Sequence, residues 1–155
     1  MKEKLDKILG GFLVFLMSIM VISVLWQVFS RYVMDSPSSI TEELARYLLI
    51  WIGVLGAAYA AGQQDHLAIN LLEEKLNGQN RKRLRIGIDL LIIFFCITVL
   101  IIGGGNLVYL SYDLGQTSAA LEIPLSIVYM VLPFSGLLII AYKMNEILNP
   151  EKYLA

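Results

Sequence analysis

The sequence predicts an all-α integral membrane protein with four transmembrane helices. Its composition is 57% hydrophobic and only 16% charged, whereas soluble domains carry about 25% charged residues. Charged residues are also absent from four long runs, residues 8–30, 47–64, 90–112 and 123–142. Roughly 20 apolar residues in a helix cross a hydrocarbon core of about 30 Å, and a helix satisfies its own backbone hydrogen bonds in lipid. We therefore expect one transmembrane domain over residues 1–155, with helices at about 10–32, 42–64, 86–110 and 123–143.

Both termini are predicted to be cytoplasmic. Lys and Arg concentrate in the cytoplasmic loops of membrane proteins. With four spans, ten of the 12 basic residues fall on one side of the membrane: Lys2, Lys4, Lys7, Lys75, Arg81, Lys82, Arg83, Arg85, Lys143 and Lys152. The opposite side holds only Arg31 and Arg46, so we expect segments 30–41 and 111–121 to face outward. The first span is longer than a signal-peptide core of about 7–15 residues, and we interpret it as a retained helix.

The start of the second helix carries a compact set of charges. Residues 35–41 form a predicted turn, with Thr41 as the N-cap residue of the helix. Glu42 and Glu43 then occupy the first turn, where the helix dipole favours acids. Glu42 can pair with Arg46 at i,i+4 on one face.

The two tryptophans are predicted to contact lipid or neighbouring helices. Trp26 lies near the outer end of the first helix and fits the aromatic belt of a membrane interface. Trp51 lies inside the second uncharged run.

The second helix also contains a stripe of small residues, Gly53, Ala57 and Ala61, at four-residue spacing. Small residues let membrane helices approach closely, because packing drives helix association in lipid. The stripe indicates either a tight contact with a partner helix or packing against this chain's own helices. Both interpretations stay open.

Residues 67–85 are predicted to form an amphipathic helix in the plane of the interface. Its apolar residues share one face, and its basic end lies near anionic lipid headgroups; that end consists of Arg81, Lys82, Arg83 and Arg85. His66, the only histidine, precedes this segment as an interfacial hydrogen-bonding residue. Since the orientation rule alone accounts for the basic run, we expect no nucleic-acid partner.

The third and fourth helices contain few polar residues. Asp89 follows Arg85 by four residues, which predicts an interfacial ion pair rather than a functional site. The run Gly103–Gly105 predicts a bend or close packing. Pro124 suits the first turn of the fourth helix, and Pro133 predicts a kink in its middle.

The residues do not favour an enzyme. A single histidine excludes a haem held by two histidines, and nucleotide-binding motifs are absent. Ion-driven transporters usually carry acids near the bilayer midplane, but the middles of the first, second and fourth spans have none. The sequence therefore predicts a scaffold or accessory subunit, with a self-contained four-helix exporter or a subunit of another membrane complex as alternatives.

A series of motifs occurs in a defined order along the chain. Residues 27–32 read QVFSRY, residues 41–47 read TEELARY, and Trp51, Gly56-Ala57 and then HLAIN at residues 66–70 follow. This series resembles the small membrane subunit of TRAP transporters, the tripartite ATP-independent periplasmic transporters of bacteria and archaea. The resemblance covers the whole chain in length and span number.

The resemblance implies a function that composition does not. In that family a periplasmic binding protein captures an organic acid, commonly a sialic acid or a C4-dicarboxylate. A large elevator-type subunit then moves the acid with a sodium gradient. A small subunit of this kind would pair with the large one, anchor it among the lipids of the bacterial inner membrane, and hold no cofactor, metal or substrate site of its own. Sodium would bind the large subunit.

The resemblance also suggests roles for the charged residues. Arg31, on the predicted outer side, is a candidate contact for the binding protein, with a simple helix-end anchor as the alternative. Glu42, Glu43 and Arg46 would order the outer end of the second helix and its contact with the large subunit. Gly53 and Ala57 would belong to the same partner contact.

Overall fold

The described part of the protein is a bundle of four helical spans, each long and apolar enough to cross a membrane. The computed structural model describes residues 2–63 and 79–148, with side chains described in 4–63 and 83–148. The first two spans are single helices, the third consists of three consecutive helical segments, and the fourth consists of two. Within the described ranges the helical segments are α1 Lys2–Tyr32, α2 Ser39–Gln63, α3 Gln79–Phe95, the π-helix Cys96–Gly103, α4 Gly104–Asp113, α5 Leu125–Tyr129 and α6 Val131–Leu148.

The helices extend beyond the uncharged runs. α1 already begins at Lys2, and α3 begins at Gln79. Residues 79–85, which the prediction placed at the end of the interfacial segment, are therefore continuous with the helix of the third span. The remainder of that predicted helix, residues 67–78, lies outside the described residues.

The fourth span occupies the middle of the bundle. α1 packs against α2, α2 packs against the fourth span, and the fourth span packs against the third. One buried cluster joins Leu16, Leu55 and Val131, and a second includes Ala58 and Cys96. The fourth span has the most buried surface and the third span the least, so much of the third span is left open to lipid or to another protein.

Because the spans run up and down, the bundle has two distinct ends. We call the end where α1 begins and α6 ends the terminal end; there the Tyr142 hydroxyl donates to Asp6 Oδ1 at 2.7 Å. The connecting end holds the short segment 33–38 between α1 and α2 and the loop 114–124 between the third and fourth spans.

Two glycines let the third and fourth spans approach closely. A Cβ added to Gly104 would lie 2.8 Å from the Cβ of Leu132, and a Cβ added to Gly136 would lie 2.9 Å from the Cβ of Leu100. Packed Cβ atoms do not approach this closely, so only glycine suits either position. The close packing predicted for the run Gly103–Gly105 is confirmed at Gly104.

The fourth span is interrupted one turn before Pro133. α5 ends at Tyr129 and α6 begins at Val131. Proline has no N–H to donate to the carbonyl four residues earlier, which here belongs to Tyr129. The predicted irregularity is therefore confirmed. Pro124 lies at the N-cap of α5 rather than inside its first turn.

Candidate functional site

At the connecting end, α2 begins with Ser38 as its cap and not with Thr41. The backbone N–H of Thr41 donates to Ser38 Oγ at 3.5 Å, and the Thr41 hydroxyl donates back to the Ser38 carbonyl at 3.1 Å. The prediction was wrong because serine and threonine are both good N-cap residues and the spacing does not choose between them. Since α2 begins at Ser39, both Glu42 and Glu43 lie inside the helix. Consecutive helical residues are about 100° apart around the axis, so the two side chains point in different directions.

Glu42 points outward and joins two arginines. Its Oε1 accepts from Arg46 at 3.4 Å, and its Oε2 lies 4.0 Å from Arg31 at the end of α1. The predicted pair of Glu42 and Arg46 is thus confirmed. All three side chains are about half exposed or more, so each ion pair contributes at most about 1 kcal/mol and the charges stay accessible to another protein.

Glu43 points in the other direction and binds the chain's own loop. Its carboxylate accepts three successive backbone N–H groups, from Ala119 at 3.1 Å, Ala120 at 2.6 Å and Leu121 at 3.1 Å. The Tyr47 hydroxyl, one turn along α2, donates to the same carboxylate at 2.8 Å. Glu43 therefore ties the start of α2 to the loop between the third and fourth spans.

The loop 114–124 has a defined internal structure. The N–H of Ser118 donates to the carbonyl of Ile123 at 2.9 Å, and the N–H of Leu125 donates to the carbonyl of Gln116 at 3.0 Å. Gly115 and Glu122 adopt left-handed backbone conformations, with φ of 58° and 55°. Glycine adopts this conformation freely, whereas a glutamate does so only where its surroundings hold it.

The small residues of α2 divide between two faces. Gly53 and Ala57 are exposed, and a Cβ added to Gly53 or Gly56 would meet nothing within 4 Å. Ala61 is buried against this chain's own helices. Packing within the chain is therefore the correct interpretation for Ala61, and it is wrong for Gly53 and Ala57.

The two tryptophans have different surroundings. The indole N–H of Trp51 donates to the carbonyl of Val128 at 3.0 Å, so Trp51 contacts the fourth span. Trp26 is 50% exposed and its ring lies 5.9 Å from that of Phe29. The rings of Trp26 and Phe29, with Ile22 and Leu25, line an open apolar groove on α1.

The terminal end contains a buried charged cluster that was not predicted from the sequence. Lys143 Nζ lies 3.3 Å from Asp89 Oδ1 and 2.8 Å from Glu146 Oε2, and all three side chains are at most 5% exposed. Oε1 of Glu146 is buried without a hydrogen-bond partner in the described part of the chain. Asp89 is therefore not the interfacial acid that was predicted, because its side chain is enclosed between the third and fourth spans.

A weak signal for this cluster was present in the sequence. Lys143 and Glu146 lie three residues apart at the end of the fourth uncharged run, and Asp89 lies just before the third. In an antiparallel pair of helices these positions meet at the same depth. The predicted basic end of the amphipathic segment is described only in part: Arg83 is exposed and Arg85 is half-buried. His66 and the side chains of Arg81 and Lys82 lie outside the described residues.

Comparison with known proteins decides the family. A family model described as tripartite ATP-independent periplasmic transporters, DctQ component, matches residues 20–152. The chain belongs to this family. As a TRAP small-permease subunit it is a multi-pass protein of the bacterial inner membrane and not an enzyme. Members of the family work with large permease subunits and substrate-binding proteins.

Several small permeases are similar to this chain. A TRAP transporter small permease protein of Haemophilus influenzae is 26% identical, and the match covers 94% of this chain and 88% of the relative. The sialic acid TRAP transporter small permease SiaQ of Vibrio cholerae is 26% identical, covering 90% of this chain and 79% of its own length. The C4-dicarboxylate TRAP small permease DctQ of Rhodobacter capsulatus is 29% identical, covering 61% of this chain and 41% of its own length.

Proposed function

We propose that this TRAP small-permease subunit is the scaffold and membrane anchor of a sodium-driven importer of an organic acid. It pairs with the large elevator-type subunit and helps to dock the periplasmic binding protein. Sodium and the transported acid bind the large subunit. The observation that carries this proposal is the open small-residue face of α2, which is shaped to receive a helix from another protein.

The α2 face supports pairing with the large subunit. Gly53 and Ala57 form a shallow strip on the membrane-spanning part of the helix, with free space above the glycine. Small residues in this arrangement allow backbones to approach closely, and close packing is what stabilises helix association in lipid. Glu42 and Arg46 continue the exposed face toward the connecting end, where polar groups of the large subunit can pair with them.

The connecting end is assigned to the periplasm by the distribution of basic residues. Arg31 lies there and its side chain is 53% exposed, with Glu42 at 4.0 Å. An ion pair at this distance and exposure is weak, so Arg31 can leave Glu42 for a closer carboxylate on another protein. Arg31 is therefore our candidate contact for an acidic group on the binding protein.

The names of the relatives support the proposed substrate class. Their names include a sialic acid and a C4-dicarboxylate small permease, and both substrates are organic acids. We extend the class of organic acids to the transporter that contains this chain, and we propose sodium coupling on the family resemblance alone.

Co-purification tests the proposal. A tagged chain expressed with its genomic neighbours should bring a large multi-span subunit through detergent purification in a fixed ratio. Gly53→Leu together with Ala57→Leu should abolish this recovery, because leucine side chains fill the strip on α2. Gly11→Leu is the matched control, since Gly11 on α1 also has nothing within 4 Å of an added Cβ.

Two results would contradict the proposal. Full recovery of the large subunit with the doubly substituted α2 would remove that face from the interface. Purification of the chain alone, as a stable dimer that moves solutes in vesicles, would replace the scaffold function with that of a small exporter.

A further inference from the structure

Glu43 has an unusual set of hydrogen bonds for a residue in the first turns of a membrane helix. One carboxylate accepts the N–H groups of three consecutive residues, Ala119 to Leu121, and also the hydroxyl of Tyr47. Hydrogen bonds to a charged acceptor are stronger and shorter than neutral ones. Since both carboxylate oxygens are engaged within the chain, Glu43 acts on the loop and not on a partner directly.

The consequence of these bonds is an ordered loop with exposed carboxylates in it and beside it and no basic residue. Backbone groups of residues 116–125 are joined to one another and to Glu43. Asp113, Leu114 and Glu122 are exposed beside them, and residues 111–124 include no lysine or arginine. Glu122 has a left-handed φ. A glutamate keeps this conformation only where the surrounding structure holds the backbone, which indicates that the loop is ordered there.

We propose that Glu43 is a positioning residue that preforms the loop 114–124 as a docking surface for the periplasmic binding protein. This inference rests on the proposed function, which places the connecting end in the periplasm. The exposed carboxylates select a patch of lysine or arginine side chains on the binding protein by charge complementarity. A preformed loop lowers the ordering cost of association.

The size of the effect follows from the population of the ordered loop. If a surface is in its binding-competent conformation for only a fraction of the time, its apparent dissociation constant equals the intrinsic dissociation constant divided by that fraction. If removal of the carboxylate leaves the loop ordered for about a fifth of the time or less, affinity for the binding protein falls about fivefold or more.

Hydrogen exchange on the purified complex of small and large subunits tests the positioning step. Amides of Ala119, Ala120 and Leu121 should exchange at least about tenfold faster in Glu43→Ala than in the natural chain, because their acceptor is gone. Glu43→Gln should give an intermediate rate, since its amide oxygen still accepts. Glu42→Ala, one residue earlier and exposed, is the matched control and should leave the loop protected. Unchanged exchange in Glu43→Ala would overturn the proposal.

Titration of the complex in nanodiscs with the binding protein encoded beside it tests the docking step. The concentration of binding protein at half-saturation, the midpoint of the titration, should rise about fivefold or more in Glu43→Ala. It should recover partly in Glu43→Gln. Asp113→Asn with Glu122→Gln, which leaves the hydrogen bonds of Glu43 intact, should raise the midpoint and flatten its dependence on salt. Where Glu43→Ala does not fold, Glu43→Gln and this surface pair decide the question.

The outcomes separate the two proposals. Faster exchange with an unmoved midpoint, or an unmoved midpoint in the surface pair, would overturn the docking role of the loop. A natural complex that does not bind the binding protein at all would instead overturn the proposed function, and with it the docking step. The exchange rates would still decide whether Glu43 positions the loop.

Discussion

Replacement of Lys143 by methionine should severely destabilise the bundle. Lys143 is the cation between Asp89 and Glu146, at 3.3 and 2.8 Å, and all three side chains are enclosed. At an effective dielectric constant of about 20 the two Coulomb attractions are about 5 and about 6 kcal/mol. Much of this is offset because the lysine no longer has to be desolvated, and the net cost of removing one partner of a buried ion pair is about 3–5 kcal/mol.

Thermal unfolding of the purified chain in detergent measures the effect. A loss of this size corresponds to a midpoint roughly 6–20 °C lower for a chain of this length. Arg46→Met is the control, because it removes a cation from an exposed pair that is worth at most about 1 kcal/mol.

A compensated variant distinguishes charge from packing. Asp89→Leu, Lys143→Met and Glu146→Met together remove all three charges of the cluster, and replacing a buried ion triad with apolar residues is often neutral. The triple variant should therefore recover most of the lost stability. An unchanged midpoint in Lys143→Met alone would refute the buried cluster, and a triple variant as unstable as the single one would show that shape, not charge, sets the cost.

Three further results are expected. Gly104→Ala and Gly136→Ala should each lower the stability of the purified chain by about 1–3 kcal/mol through overpacking, whereas Gly105→Ala, with open space at its Cβ, should not; equal effects at all three glycines would contradict the close approach of the third and fourth spans. Trp51→Phe should cost about 1 kcal/mol because the bond to the Val128 carbonyl is lost, measured as the same thermal midpoint, and an unaltered midpoint would argue against that bond. Arg31→Glu should reduce binding-protein-dependent uptake in vesicles while membrane insertion stays normal, and unchanged uptake would remove Arg31 from the docking surface.

The parts of the structure that depend on neighbouring residues were predictable from the sequence. The four spans follow from uncharged runs, and the pair of Glu42 and Arg46 follows from i,i+4 spacing on a helix. The break before Pro133 follows from the missing proline N–H. In each case the cause and its effect lie within one continuous segment of the chain, so no knowledge of the tertiary fold was needed.

The contacts that join distant segments were not predictable. Adjacent Glu42 and Glu43 look equivalent in the sequence, yet one meets arginines and the other meets backbone amides of a loop far along the chain. Their separation depends on where α1 and the loop 114–124 lie around α2. Asp89 was misplaced for the same reason, since its partner Lys143 is brought to it only by the packing of two helices.

The buried position of Lys143 has a consequence for how the protein enters the membrane. A lysine inside a hydrophobic helix opposes insertion of that helix. Glu146 offsets the charge of Lys143 on the same helix, whereas Asp89 on the third span meets Lys143 only when the fourth span is present. Asp89 precedes Lys143 in the chain and so is synthesised first. We expect the third span to be held at the translocon until the fourth arrives, so that the two helices leave the insertion machinery as a pair with Asp89 already beside Lys143.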